Sequence, residues 1–291
     1  MVTGSQTGRM VTETKAGRRV PAPLLILGSV VSIQAGQAAG KAMFGLVGTA
    51  GVVTLRLTFA ALVLLLVRRP APPRRESLGL IAALGTAMAG MHLIYPAMER
   101  LPVGVASMLQ FLGPLTLALV KARRAADLLW AGLAATGVVL LYGPSGSSLP
   151  AAGVAFALAS GACMAAYLVL NKRAGEPDTL AWAVAFAALL VLPLAPLTGG
   201  ALLRPGVLWA GLGLALLSAV VPWSLDMAAL RRLPAQVVAV MVSLEPAAGA
   251  LAGLVLLDEH LGWPGWLAVA CVSAASAGAA VSAAPGRGKH P

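Results

Sequence analysis

The stretch RLPAQVVAVMVSLEPAAGALAGLVLL, residues 232–257, decides the fold of this chain. A hydrocarbon core about 30 Å thick needs roughly 20 helical residues, and this apolar run is long enough to cross it. Glu245 is the one charged residue between Leu233 and Leu257. Because a charge at the centre of a membrane helix costs about 2.5 to 3.5 kcal/mol, Glu245 is expected to face protein or water.

The composition extends this interpretation to the whole chain. Of 291 residues, 59% are hydrophobic and 11% are charged, and the mean hydropathy is +0.87. Soluble domains carry about 25% charged residues, so a water-soluble fold is excluded. Apolar runs of spanning length predict an all-α integral membrane protein with ten transmembrane helices. The runs are 22–46, 50–67, 77–98, 102–120, 126–142, 150–171, 179–197, 207–228, 234–256 and 264–283.

The positive charges predict the orientation of these spans. If the N-terminus lies inside, 17 of the 21 Lys and Arg residues fall on the inner side. Only Lys41, Arg100 and Arg204 fall outside, and Arg56 lies within a span. Positive residues favour the cytoplasmic side, so both termini are predicted to be cytoplasmic in a multi-pass protein of the cell membrane. The net charge of +11 is therefore a topology signal and does not indicate nucleic-acid binding.

The fourth and ninth spans begin with the same motif. Arg100-Leu101-Pro102 is followed by Pro114, and Arg232-Leu233-Pro234 is followed by Pro246, with an offset of 132 residues in both cases. Coincidence is the alternative, since proline favours the first helical turn. The matched spacing instead predicts two copies of a five-helix unit, and an odd number of helices makes the second copy inverted.

This repeat divides the chain into two halves and two tails. The first five-helix repeat is predicted at 22–145 and the second at 150–283. Residues 1–21 are polar and predict a disordered cytoplasmic tail, because they have little apolar area to bury. Residues 284–291 are predicted to form the second cytoplasmic tail.

Short motifs along residues 24 to 283 resemble a known transporter family. They are Ser32-Ile33-Gln34-Ala35-Gly36, Lys41, Leu55-Arg56-Leu57, Phe111-Leu112-Gly113-Pro114, Gly161-Ala162-Cys163, Pro222-Trp223-Ser224-Leu225-Asp226-Met227 and Leu244-Glu245-Pro246. In this order they resemble the threonine/homoserine exporter group of EamA-type transporters, within the drug/metabolite transporter superfamily. The resemblance implies ten helices in two inverted repeats and export of small metabolites.

Glu245 is the first candidate for a substrate-binding and proton-coupling residue. The residues that follow it on the same helical face are small, which suits close packing or a cavity wall. Pro246 and Pro114 each remove a backbone hydrogen bond, which frees the carbonyls of Val242 and Gln110 to accept from a substrate ammonium. The alternatives are a structural carboxylate and plain helix kinks.

Arg56 is the second candidate, because it keeps its charge inside a span and can bind a substrate carboxylate. Lys41 is a weaker candidate for the same role, since a lysine near a helix end more often reaches the interface. Asp226 is a candidate gating residue, or the partner of Arg231 and Arg232 in an interfacial salt bridge.

Two aromatic residues complete the candidate site. Trp223 and Tyr167 are candidates for lining the cavity, with interfacial packing as the alternative. His92 and Glu99 are expected near the outer face in solvated or capping roles.

These residues favour a transporter over an enzyme. The prediction is a secondary exporter of amino acids or related small metabolites, with the proton as coupling ion and no cofactor or metal; the family resemblance implies threonine or homoserine as the type of amino acid. The alternatives are a membrane enzyme acting on lipid and an exporter of another metabolite or drug. Paired metal-binding histidines, a Gly-x-Ser-x-Gly elbow and a phosphate-binding loop are absent from the sequence. Cys163 and Cys271 lie in apolar runs and suggest neither a disulfide framework nor a zinc site.

The predicted topology is tested by a reporter enzyme that is active only outside the cytoplasm. Fused after Pro291, the reporter is expected to be silent, because the charge bias puts the C-terminus inside. Inserted beside Arg204, in a predicted outer loop, it should be active. Activity at the C-terminus would contradict ten spans with cytoplasmic ends.

Overall fold

The computed structural model describes residues 20–120, 125–141, 149–174 and 177–282. In this part of the chain all regular secondary structure is helical, which confirms the all-α prediction. The predicted tails at 1–21 and 284–291 lie outside the described residues, apart from residues 20 and 21. The α-helices are α1 Ala22–Ala42, α2 Phe44–Arg68, α3 Leu78–Met91, α4 Ile94–Met98, α5 Val103–Val120, α6 Ala125–Leu141, α7 Ala151–Ala174, α8 Pro177–Val191, α9 Pro205–Ala215, α10 Val221–Leu230, α11 Ala235–Val242, α12 Glu245–Leu257 and α13 Trp263–Ser282.

Ten helical segments correspond to the ten predicted spans. Within the described ranges, nine segments are long and apolar enough to cross a bilayer, and the shorter apolar helix Leu128–Leu140 in α6 supplies the fifth span. The boundary between the first two spans differs from the prediction. The first helix ends at Ala42, four residues early, and the second already begins at Phe44. Gly48 has a φ of 66° and kinks α2, which separates residues 44–47 from the main part of the second span.

Three spans contain an interruption of the regular α-helix. The third is broken at His92 and Leu93, between α3 and α4, and the ninth at Ser243 and Leu244, between α11 and α12. The eighth contains a π-helical turn, Leu216–Val220, between α9 and α10. A proline, which cannot donate a helical hydrogen bond, follows each irregularity within four residues: Pro96, Pro246 and Pro222.

The first helix of each half packs against the third and fourth helices of the other half, as expected for an inverted repeat. The first span, α1, packs against α10 of the eighth span and α12 of the ninth. The sixth span, α7, packs in the same way against α3 of the third and α5 of the fourth. Pro114 and Pro246 lie on the fourth and ninth spans, as the 132-residue offset predicted. The exact limits of the repeats, 22–145 and 150–283, remain predictions.

The helix crossing between α5 and α7 depends on two glycines in backbone contact. A Cβ on Gly113 would lie 2.0 Å from the carbonyl oxygen of Gly161, and a Cβ on Gly161 would lie 2.4 Å from that of Gln110. Small residues at such crossings let membrane helices approach closely. The cavity-lining face of α5 is thereby fixed against α7.

We expect Gly113→Ala to destabilise the protein, because the added methyl group meets backbone that cannot give way. The free energy of unfolding in detergent should fall by about 1 to 3 kcal/mol. Gly213→Ala is the matched control. Gly213 also lies in a helix, but a Cβ there would have no heavy atom within 4 Å. Equal stability of the two variants, measured by denaturant titration, would contradict the close crossing.

Candidate functional site

A cavity of about 590 Å³ lies where the interrupted spans meet. Its wall comes from both halves of the chain, and it reaches the surface at the exposed residues Arg68, Asn171 and Lys172. Basic, acidic and uncharged polar side chains share this one space. The polar residues of the inner wall are Gln37, Arg56, His92, Gln110, Tyr167, Ser218, Asp226 and Glu245.

Glu245 lines the cavity at the break of the ninth span. It is the first residue of α12 and its exposed fraction is 8%. No hydrogen bond or ion pair joins its carboxylate to another described residue. A buried carboxyl group without a protein partner is free to bind a proton or a cationic group from the cavity.

Asp226 places a second carboxylate in the same cavity. Its Oδ1 is buried and has no hydrogen-bond partner among the described residues. The interfacial salt bridge with Arg231 or Arg232 does not form, and Arg232 instead donates to the Val20 carbonyl at 3.3 Å. The cavity therefore contains two carboxyl groups, and each of them can bind a cation.

Arg56 lies across the cavity wall with its guanidinium anchored to neutral groups. It donates to the Tyr95 hydroxyl at 3.2 Å and to the Ser218 carbonyl at 3.0 Å, and it lies 5.7 Å from the centre of the Tyr95 ring. Pro222, four residues after Ser218, leaves that carbonyl without its helical donor. No carboxylate pairs with Arg56 in the part of the chain that the structure describes, so its charge remains available to an anion.

Gln110 is held in the wall by its side chain. Its amide donates to the Ser160 hydroxyl at 2.6 Å and to the Met91 carbonyl at 3.4 Å. The carbonyl that Pro114 frees packs against Gly161 of α7. Gln110 therefore presents a fixed polar group to the cavity, whereas its backbone carbonyl serves helix packing.

The cavity does not include all the predicted site residues. Glu245, Arg56, Gln110, Tyr167 and Asp226 come together in it. By contrast, Pro246 and Pro114 shape the helices without lining it, and Lys41 is bound to Glu259 at 2.6 Å. The side chain of Trp223 lies outside the described part of the structure.

His92 is a cavity residue that the sequence did not indicate. It was expected near the outer face, but it lies at the break of the third span, where its Nδ1 is 2.8 Å from the Met88 carbonyl. Its ring stacks on Tyr95 with a centroid distance of 6.1 Å. The available signal was Pro96, four residues later, which interrupts the helix at His92. Glu99, in contrast, is exposed and paired with Arg100, in agreement with a solvated role.

Comparisons with known proteins agree with this architecture. The family model described as the EamA-like transporter family matches residues 151–280. Two curated relatives are named threonine/homoserine exporter RhtA, one from Escherichia coli (strain K12) and one from Salmonella typhimurium (strain SL1344). They are 37% and 36% identical to this chain over 268 residues, which is 89% of this chain and 91% of each relative. A solved crystal structure that is 19% identical shares the fold, with a TM-score of 0.57 over 89% of this chain and 97% of its own.

The cavity is tested by thiol labelling in a background that lacks Cys163 and Cys271. A cysteine at Met164, which lines the cavity, should react with a membrane-impermeant maleimide added on the Arg68 side of the membrane. A cysteine at Leu84, which has 0% exposure and does not line the cavity, should stay unmodified until the protein is denatured. Equal protection of the two positions would show that this space is closed to water.

Proposed function

We propose that this chain, which belongs to the EamA-like transporter family, exports threonine, homoserine or a closely related amino acid in exchange for protons. The proposal rests on one observation above all. A cavity that is open at one end holds two carboxylates and an arginine, and none of the three forms an ion pair with another described residue. The names of the relatives, which are exporters, favour transport over lipid chemistry.

An amino-acid zwitterion complements these charges. Its carboxylate can replace water at the Arg56 guanidinium, whose planar donors suit a carboxylate group. Its ammonium group needs an acceptor, and Glu245 and Asp226 are the cavity acids. Binding of both ends would compensate the charges that the protein leaves unpaired at membrane depth.

The uncharged wall suits a side chain that carries a hydroxyl group. Gln110, Tyr167 and Ser218 provide donors and acceptors around the same space. A site that hydrogen-bonds a substrate hydroxyl discriminates against analogues without it, because the buried polar groups would then be left unpaired. We therefore expect threonine and homoserine to be preferred over valine or norvaline.

Proton exchange follows from a site that holds one cation at a time. A protonated Glu245 is neutral and lets the empty carrier reorient, while an ionised Glu245 accepts the substrate ammonium. Because the proton and the ammonium compete for one carboxylate, movement of one in each direction couples the two fluxes. Of the two acids, Glu245 is the better candidate because it lies at the break of a spanning helix.

Orientation gives this exchange its direction. The charge bias puts both termini in the cytoplasm of a cell-membrane protein, and the same bias puts Arg68 and Lys172 on the inner side. The cavity mouth beside these residues would then face the cytoplasm, where an exporter loads its substrate. The structure would represent the loading state of the transport cycle.

The experiment is counterflow of labelled threonine and homoserine in proteoliposomes, with and without a pH gradient. We expect Glu245→Gln to lower pH-driven net export at least about tenfold, because a neutral amide binds neither a proton nor an ammonium group. Asp258→Asn is the matched control, since Asp258 is exposed in the loop after α12. Parental export with unchanged pH dependence in Glu245→Gln would show that Glu245 serves packing and that coupling resides elsewhere.

A further inference from the structure

Lys41 and Glu259 form an ion pair that ties three separate segments together. Lys41 Nζ, at the end of α1, lies 2.6 Å from Glu259 Oε1 in the loop after α12. The same Nζ donates to the Leu101 carbonyl at 2.8 Å, and the Val103 amide donates to Glu259 Oε2 at 2.7 Å. The pair therefore joins the first span, the start of the fourth and the end of the ninth.

Gly253 positions the Glu259 carboxylate for this contact. A Cβ on Gly253 would lie 2.5 Å from Glu259 Oε2, so a larger residue there would displace the carboxylate. The Glu259 amide donates to the Gly253 carbonyl at 3.0 Å, which turns the chain back over the end of α12. The paired side chains are only 21% and 16% exposed.

Beside the ion pair, α1, α5 and α12 close against each other. A Cβ on Gly104 would lie 2.6 Å from Ala250, and a Cβ on Gly249 would lie 2.8 Å from the Gln34 side chain and 3.0 Å from the Ser107 hydroxyl. We call these contacts, together with Lys41 and Glu259, the closed seam. None of the seam residues lines the cavity, and Ser107 has an exposed fraction of 1%.

The closed seam and the cavity mouth lie at opposite ends of the protein. Helix α2 begins three residues after Lys41 and ends at Arg68, which lines the mouth. The part of α2 after the kink at Gly48, residues 49–68, spans about 30 Å, so these two positions are separated by about the thickness of a bilayer core. The protein is therefore open at the Arg68 end and shut at the Lys41 end.

The sequence repeats the charges of the ion pair in the other half. Lys172 stands 131 residues after Lys41, at the end of α7 as Lys41 stands at the end of α1, and Asp127 stands 132 residues before Glu259. Lys172 lies at the open mouth and has no ion pair within the described ranges. Inverted repeats exchange conformations during alternating access, so a contact formed at one end is expected to be open at the other.

We propose that Lys41 and Glu259 form the gate of this transporter at the end opposite the open mouth. The pair closes the seam while the cavity faces the Arg68 side, and it separates when the cavity turns to the other side. The proposal rests on transport by alternating access, and it replaces substrate binding as the role of Lys41. It does not depend on which metabolite is carried.

The test measures access to Ser107→Cys in a background without Cys163 and Cys271. A membrane-impermeant maleimide is added separately to each side of oriented vesicles, without substrate. In Glu259→Gln we expect labelling from the Lys41 side to accelerate about tenfold or more, because loss of one partner leaves the other charge buried and unpaired. Glu99→Gln is the matched control, since Glu99 pairs with Arg100 at 2.7 Å but both side chains are exposed and adjacent in sequence.

A double-mutant cycle separates gating from general damage. Lys41→Gln should open the seam as Glu259→Gln does, and the double variant should label no faster than the faster single variant, because the pair is already lost. Parental labelling rates in both single variants, or acceleration equal to that of Glu99→Gln, would overturn the proposal. So would additive acceleration in the double variant. Labelling needs no transported substrate, so absence of threonine export would contradict the proposed function without affecting this result.

Discussion

Backbone polar groups and charged side chains at membrane depth need hydrogen-bond or ion-pair partners within the protein, because a bilayer core offers no water. The contact between Arg56 and the Ser218 carbonyl meets two such needs at once. Pro222 deprives that carbonyl of its helical donor, and the guanidinium needs acceptors for its fixed charge. The contact joins the second span to the eighth, and the wall of the cavity is built around it. A charge that is costly at this depth is thus kept where it can meet a ligand.

The same constraint explains why the irregular backbone of several spans meets at one place. His92, Ser218 and Glu245 each lie at or in a helix interruption, and all three line the cavity. Broken helices are tolerated in a membrane where they line a cavity or are buried in protein. Away from the cavity, glycines such as Gly113 bring the backbones of neighbouring helices into contact. The site is therefore a region where three helix interruptions come together.

The structure is asymmetric although its two halves are related. One end is open beside Lys172, while the other is closed by Lys41 and its carboxylate partner. Two halves with equivalent packing but different end contacts are what a carrier needs in order to exchange one open end for the other. A single ion pair is suited to such a gate, because it stabilises the closed end by a few kcal/mol at most. Substrate binding can offset that amount.

Sequence alone determined the number of spans, their approximate limits and the central position of Glu245. These properties are local, because the length of an apolar run and the cost of a buried charge do not depend on distant residues. It also indicated the offset between Pro114 and Pro246, which lie on the fourth and ninth spans of the structure. Only the tertiary structure decided that His92 belongs to the cavity and that Lys41 meets Glu259, 218 residues away. Partners of this kind depend on how helices cross, and side-chain contacts between distant spans leave no periodic signal in one sequence.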